Sequence, residues 1–204
     1  MKQYYRNLPH IQPVEAIFFV TARLHGSIPV HVLAQIREEM EQEQARAALS
    51  KQESKRVNQR KREFARFDTY LDAPQNGPYW LSEPAVAQVL VESFRFRDGK
   101  QYELIAFCVM SNHYHLVIDT RRLGDETRPL HKVVQSLHGH VAIESNRLLN
   151  RTGIFWHNEY YDHVIRDDAE LRRITEYTLY NPVKAGLVDD WQAWPYCWVN
   201  ETYW

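Results

Sequence analysis

The chain has 204 residues, which suits one ordinary domain or one domain carrying a sizeable insertion. Its 44% hydrophobic and 13% aromatic content supports a packed core and excludes wholesale disorder. The formal net charge of -1 argues mildly against a nucleic-acid partner, although the distribution of charge carries more weight than its sum.

Two cysteines, Cys108 and Cys197, are too few for a disulfide framework or a cysteine-built zinc site, and read as small apolar core residues. The N-terminal MKQYYRNLPH lacks the apolar run of a signal peptide. Ala16–Val20 is too short to span a bilayer, so the expectation is a soluble cytoplasmic protein without a membrane partner.

Along the chain, the β-branched and aromatic run Ala16–Ala22 predicts a buried first strand. Pro29 opens a long stretch of helix formers, one helix or two, that ends at the turn chemistry of Pro74–Pro78. Pro84–Phe96 predicts a shorter amphipathic helix closed by Asp98-Gly99. Tyr102–Met110 and His113–Thr120 are strand-like runs separated by Ser111-Asn112, a tight hairpin signal. Leu130–Asn150 predicts a helix and Tyr160–Ile165 a strand. Asp167 or Asp168 caps a last helix that runs to about Tyr180 and is halted by Pro182. Strands and helices intermix without a strict βαβ rhythm, which points to an α+β sandwich with helices on an antiparallel sheet.

His113 and His115 lie two apart in a predicted strand, so both imidazoles project from one face while Tyr114, Leu116 and Ile118 face the core. Two imidazoles on a rigid strand form half of a metal site, though ten histidines make a chance H-x-H common and ordinary surface histidines are the plain alternative. His138-Gly139-His140 repeats the spacing on a predicted helix, where residues two apart diverge and do not chelate.

In ELRRITEYTLYNP, Tyr177 and Asn181 are four apart on one helix face. A phenol is a poor nucleophile at neutral pH unless a nearby cation helps it, and an Asn carbonyl one turn away offers a third metal ligand. The bland account is that Asn before Pro stops a helix and the tyrosine packs in a core. Tyr180 competes with Tyr177 but lacks the four-residue spacing from Asn181.

Three blocks in order, CVMSNHYHLVI (Cys108–Ile118), GIFWHNEYYDHVIRD (Gly153–Asp167) and EYTLYNPVKAGLV (Glu176–Val188), resemble the REP-associated tyrosine transposases of the HUH single-tyrosine transposase superfamily. The resemblance covers about the last hundred residues and reaches back to FFVTARLHG in the first strand. It implies a ferredoxin-like antiparallel sheet packed with helices, in a single domain over 1–204 with a long helical insertion at about 29–80. It further implies that His113, His115 and Asn181 hold one divalent cation, Mg²⁺ or Mn²⁺. Tyr177 would be the nucleophile of a single-strand endonuclease and strand transferase that forms a 5′-phosphotyrosine. The chain departs from the family at Tyr114, where a small aliphatic is usual, at Ser111, where proline is usual, and at His138, where lysine is common.

The implied partner is single-stranded DNA, often folded into a hairpin at REP elements, with no small-molecule cofactor and a monomeric or homodimeric protein. Lys51–Arg66 carries seven cations, among them Lys55, Arg62 and Arg66, against Glu53 and Glu63. Such a stripe suits a phosphate track or a solvated helix face. Arg166 and Lys184 lie in the second and third blocks, which puts them near the scissile strand. The aromatic segment from Trp191 to Trp204 either stacks bases or docks on the core. A non-catalytic DNA-hairpin-binding regulator with the same fold, and a hydrolase acting on another phosphoester, are the rival readings.

Overall fold

The computed structural model describes residues 2–5, 9–13, 15–48, 66, 68–72, 77–121 and 128–204. They form two compact units, Met1–His25 with Tyr79–Trp204, and Gly26–Pro78. In chain order the elements are β1 (Lys2–Tyr5), β2 (Pro9–Gln12), β3 (Ile17–Arg23), α1 (Val30–Ala48), α2 (Pro84–Arg97), β4 (Glu103–Val109), β5 (His113–Asp119), α3 (Leu130–Leu148), β6 (Tyr161–Ile165), α4 (Asp168–Lys184) and β7 (Cys197–Val199).

β1 and β2 pair with each other. The main sheet has the order β6-β3-β5-β4-β7, with every neighbour antiparallel. The run β3-α2-β4-β5-α3-β6 is the ferredoxin-like βαββαβ arrangement, so the expected α+β class holds. β5 lies at the centre, between β3 and β4.

Alternation along the strands divides the sheet into two faces. Phe18, Val20 and Ala22 of β3, Tyr114, Leu116 and Ile118 of β5, and Phe107 of β4 join Leu90 and Phe94 of α2 and Leu137 and Val141 of α3 in one buried cluster. On the other face α4 lies against β4, β5 and β7. A bulge at Ile105 keeps β4 in phase. Leu104 pairs with Ile118 and Ala106 with Val117, so Phe107 falls on the core face and Cys108 opposite His115.

The aromatic C-terminal segment docks. β7 adds to β4, Trp198 stacks on Phe107 with ring centroids 6.0 Å apart, and the Trp194 indole donates to the Val109 carbonyl at 2.9 Å. Such contacts bury the ring bodies while satisfying the one polar atom of the indole.

Most expected boundaries fall within two residues of those observed, but the last helix differs. It was expected to end at about Tyr180 before Pro182, whereas it runs to Lys184 with Pro182 inside. A proline removes one backbone donor. Here the loss falls in the last turn, where Thr178, Asn181 and Pro182 are buried and packing holds the helix. The Leu187 amide then closes onto the Pro182 carbonyl at 2.9 Å.

In the second unit, Ile28, Val32, Ile36 and Leu71 form a small separate core, consistent with α1 and the helical residues 68–72. Gly77 has φ of +77°, and a Cβ there would collide with the Gly26 carbonyl, so only glycine suits this position. Residues 49–65, the bulk of the basic stripe, lie outside the described residues.

On the core face the Tyr114 hydroxyl meets His138 Nε2 at 2.9 Å, and the His138 ring stacks on Trp156 with centroids 4.6 Å apart. Burial holds the Tyr114 phenol well above its ordinary range, so it stays protonated and donates. Burial pushes His138 from its ordinary 6.5 down to about 3. Between those values the unfolded chain binds the extra proton, so stability declines as pH falls through that window. The fall in Tm from about pH 7 to about pH 5 should therefore be smaller in His138→Gln, the difference being worth up to about 2 kcal/mol. Identical pH profiles by calorimetry would contradict this account.

Candidate active site

The site begins with the pairing of β3 and β5, which sets Thr21 opposite His115 and Arg23 opposite His113. His115 Nδ1 lies 2.8 Å from Thr21 Oγ1, and His113 Nδ1 lies 2.7 Å from Asn112 Oδ1. Both far-side nitrogens are therefore committed, and the two Nε2 atoms meet at 3.1 Å. Both rings are buried, with His113 1% exposed. Phe19 stacks on His115, the rings 5.7 Å apart and 11° from parallel.

The Asn112 amide oxygen can only accept, so His113 carries its proton on Nδ1 and presents a lone pair from Nε2. The Thr21 hydroxyl can donate or accept, which leaves His115 two tautomers. With Thr21 donating, His115 Nε2–H closes a hydrogen bond to His113. With Thr21 accepting, two lone pairs face each other and require an electrophile. The donors fit a cation: an ion about 2.1 Å from both nitrogens would subtend roughly 95° between them, close to a right angle of an octahedron. Imidazole favours Mn²⁺ over Mg²⁺ on softness.

α4 carries the second half. The Asp167 side chain accepts from the Glu170 amide at 2.8 Å and caps its start. Buried Glu170 joins the helix to β6 through His163 Nε2 at 3.0 Å. Two turns on, the half-buried Tyr177 ring stands 5.5 Å from the His115 ring and 6.0 Å from Phe19.

The Asn181 amide nitrogen donates back to the Tyr177 carbonyl at 3.0 Å, which fixes the orientation of the amide. Its Oδ1 is buried and, among the described residues, has no hydrogen-bond partner. An orphaned buried acceptor beside the tyrosine is what a third oxygen ligand would leave without its ion. Tyr180, the competing tyrosine, is 44% exposed.

The structure thus gathers His113, His115 and Tyr177 and sets Asn181 against Tyr177. Lys184 is exposed, its Nζ 5.7 Å from the Tyr177 ring centre. Arg166 is exposed at the start of α4, its amide donating to Glu170 Oε2 at 3.1 Å. Arg66 lies in the second unit, 3.8 Å from Glu39, while Lys55 and Arg62 lie outside the described residues. His138 faces the core through Tyr114, and burial keeps it neutral at pH 7. His140 is exposed, and this second H-x-H does not converge.

Sequence reasoning missed Thr21 and Asn112, which orient the two imidazoles. Asn112 sits directly before His113 and was legible as an adjacent amide. The role of Thr21 depends on strand register.

Comparison with known proteins bears on this arrangement. Residues 83–180 match the family model described as Transposase IS200 like, a stretch that contains His113, His115 and Tyr177 and stops one residue short of Asn181. A protein of Haemophilus influenzae named as a REP-associated tyrosine transposase is 30% identical over 107 residues. Over these stretches the chain is similar to a family of transposases and to one REP-associated member. The matched region spans 47% of this chain and only 57% of the Haemophilus protein. A solved structure of a REP-associated tyrosine transposase bound to a REP hairpin has the same fold. Its TM-score is 0.52 at 16% identity, over 97% of this chain and 82% of that one.

If the hydrogen bonds behind the imidazoles orient them, Asn112→Ala and Thr21→Val should each weaken Mn²⁺ binding by about 10- to 100-fold. Isothermal titration measures this, and affinities equal to the parent protein's would remove the orienting role.

Proposed function

We propose that the chain is a metal-dependent single-strand DNA transesterase of the transposase type, cleaving and rejoining DNA through a covalent 5′-phosphotyrosine at hairpin-forming repeats. The observation that carries this reading is the pair of buried Nε2 atoms 3.1 Å apart, with the Tyr177 ring centroid 5.5 Å from that of His115. His113, His115 and Asn181 would hold one divalent cation, Mg²⁺ or Mn²⁺. Such a cation, when bound, offsets charge on a non-bridging oxygen of the scissile phosphate.

The protein's own groups do the rest. In this reading the Tyr177 oxygen, carried on α4, attacks phosphorus in line. A tyrosine–phosphorus bond forms, the bond to the 3′-oxygen breaks, and the phenol's proton is balanced by the one taken up as that oxygen becomes a hydroxyl. Lys184 puts positive charge beside the phenol as it loses its proton. Phe19, packed on both His115 and Tyr177, keeps the two rings from drifting apart. Because the phosphoester bond is exchanged and not hydrolysed, a second 3′-hydroxyl can reverse the step and join a new strand.

The same reading takes 1–204 as one transposase-like domain. The residues at about 29–80 are an insertion that leaves after β3 and returns before α2. Arg166, Lys184 and the cations Lys55, Arg62 and Arg66 would contact single-stranded or hairpin DNA, with the protein acting as a monomer or homodimer. Among the described residues no helix is long and apolar enough to cross a membrane.

Tyr177→Phe should abolish the covalent protein–DNA adduct on a labelled single strand while changing DNA affinity by no more than roughly twofold. An adduct formed at the parent rate would reject Tyr177 as the nucleophile. Chelation of divalent cations should stop adduct formation, and added Mn²⁺ or Mg²⁺ should restore it. Cleavage that survives exhaustive chelation would reject the metal. Tight hairpin binding with no adduct under any condition would favour a regulator.

A further inference from the structure

We propose that Arg23 is a further substrate-contacting residue of this site, its guanidinium holding a non-bridging oxygen of the phosphodiester that Tyr177 attacks. The proposal rests on the transesterase reading above.

Thr21 projects from the sheet face that carries His115, because the two side chains touch. Arg23 is two residues further along β3 and therefore shares that face. Its register partner across the sheet is His113, so the guanidinium stem starts next to the histidine pair. The backbone there is fixed on both sides of the strand end. The Arg23 carbonyl accepts from the His157 amide at 2.9 Å, and the Leu24 amide donates to the Asn112 carbonyl at 2.8 Å. The residue that orients His113 thus also anchors the strand that carries Arg23.

Arg23 is partly buried, and burial lowers its pKa to about 10, so it remains a cation at neutral pH. A partly desolvated cation interacts strongly with an anion brought beside it. A guanidinium presents a planar fork of donors that matches two phosphate oxygens, which neither neighbouring imidazole can do.

The test uses the full chain and a labelled single strand of mixed sequence carrying a hairpin. The scissile position is first mapped from the wild-type adduct, and a methylphosphonate, which lacks the anionic oxygen, is then placed there. Arg23→Met should slow adduct formation by about 10²-fold, with Arg23→Lys recovering part of the loss. In a Tyr177→Phe background, Arg23→Met should weaken binding of the phosphodiester strand by about tenfold and leave the methylphosphonate strand unchanged. It should also lower the slope of log affinity against log salt by about 0.7, the share of one single-strand phosphate.

Equal losses on both strands would overturn the proposal and make Arg23 a structural residue, as would unchanged rate, affinity and salt slope. Thermal melts of the variants identify any loss due to unfolding. If the wild-type protein forms no adduct, the transesterase reading fails instead, and the salt slope still decides whether Arg23 meets a phosphate.

Discussion

The site depends on one electrostatic constraint: two imidazoles whose outer nitrogens are both occupied present their inner nitrogens to each other at 3.1 Å in a water-poor interior. Close-packed surroundings leave little room for the rings to swing apart. Something electrophilic has to sit between them, a proton or a cation, and the freedom of the Thr21 hydroxyl to reverse its role lets His115 accept either. Because β5 is paired on both sides, this arrangement is built into the best-supported strand of the sheet and not into a loop.

The helix that brings the phenol works by a related economy of hydrogen bonds. Pro182 removes one backbone donor from α4, and Asn181 turns its amide nitrogen to the Tyr177 carbonyl, leaving a carboxamide oxygen without a partner among the described residues. The sequence Asn-Pro thus does two things at once: it weakens the end of a helix and exposes an acceptor inside the protein. Tertiary packing through Thr178, Leu179 and Pro182 keeps that turn helical where local propensity alone would end it.

Much of this was legible in the chain. The runs IFFVTAR, ELIAFCV and HYHLVID are apolar and β-branched enough to be strands wherever they occur, and period-two alternation placed His113 and His115 on one face without knowledge of their neighbours. The cap at Asp167 and the spacing of Tyr177 and Asn181 were local as well. What was not legible is everything set by pairing between distant segments. That Thr21 would support His115 depends on the register of β3 against β5 over 94 residues of separation, and the bulge at Ile105 cannot be read from ELIAFCV. Likewise the Tyr114–His138 hydrogen bond joins two positions that each looked anomalous alone and are explained by each other.

The docking of β7 against β4 has a consequence for how the protein is made. β7 is synthesised after every other strand of the sheet, so the outer hydrogen-bonding groups of β4 stay open until α4 and the segment beyond it have emerged. During that interval the nascent chain displays an unpaired strand next to Phe107 and the cluster it belongs to, the kind of surface that recruits other strands. Trp194 and Trp198, by anchoring the segment that closes that edge, end the period in which one nascent chain can pair with another there.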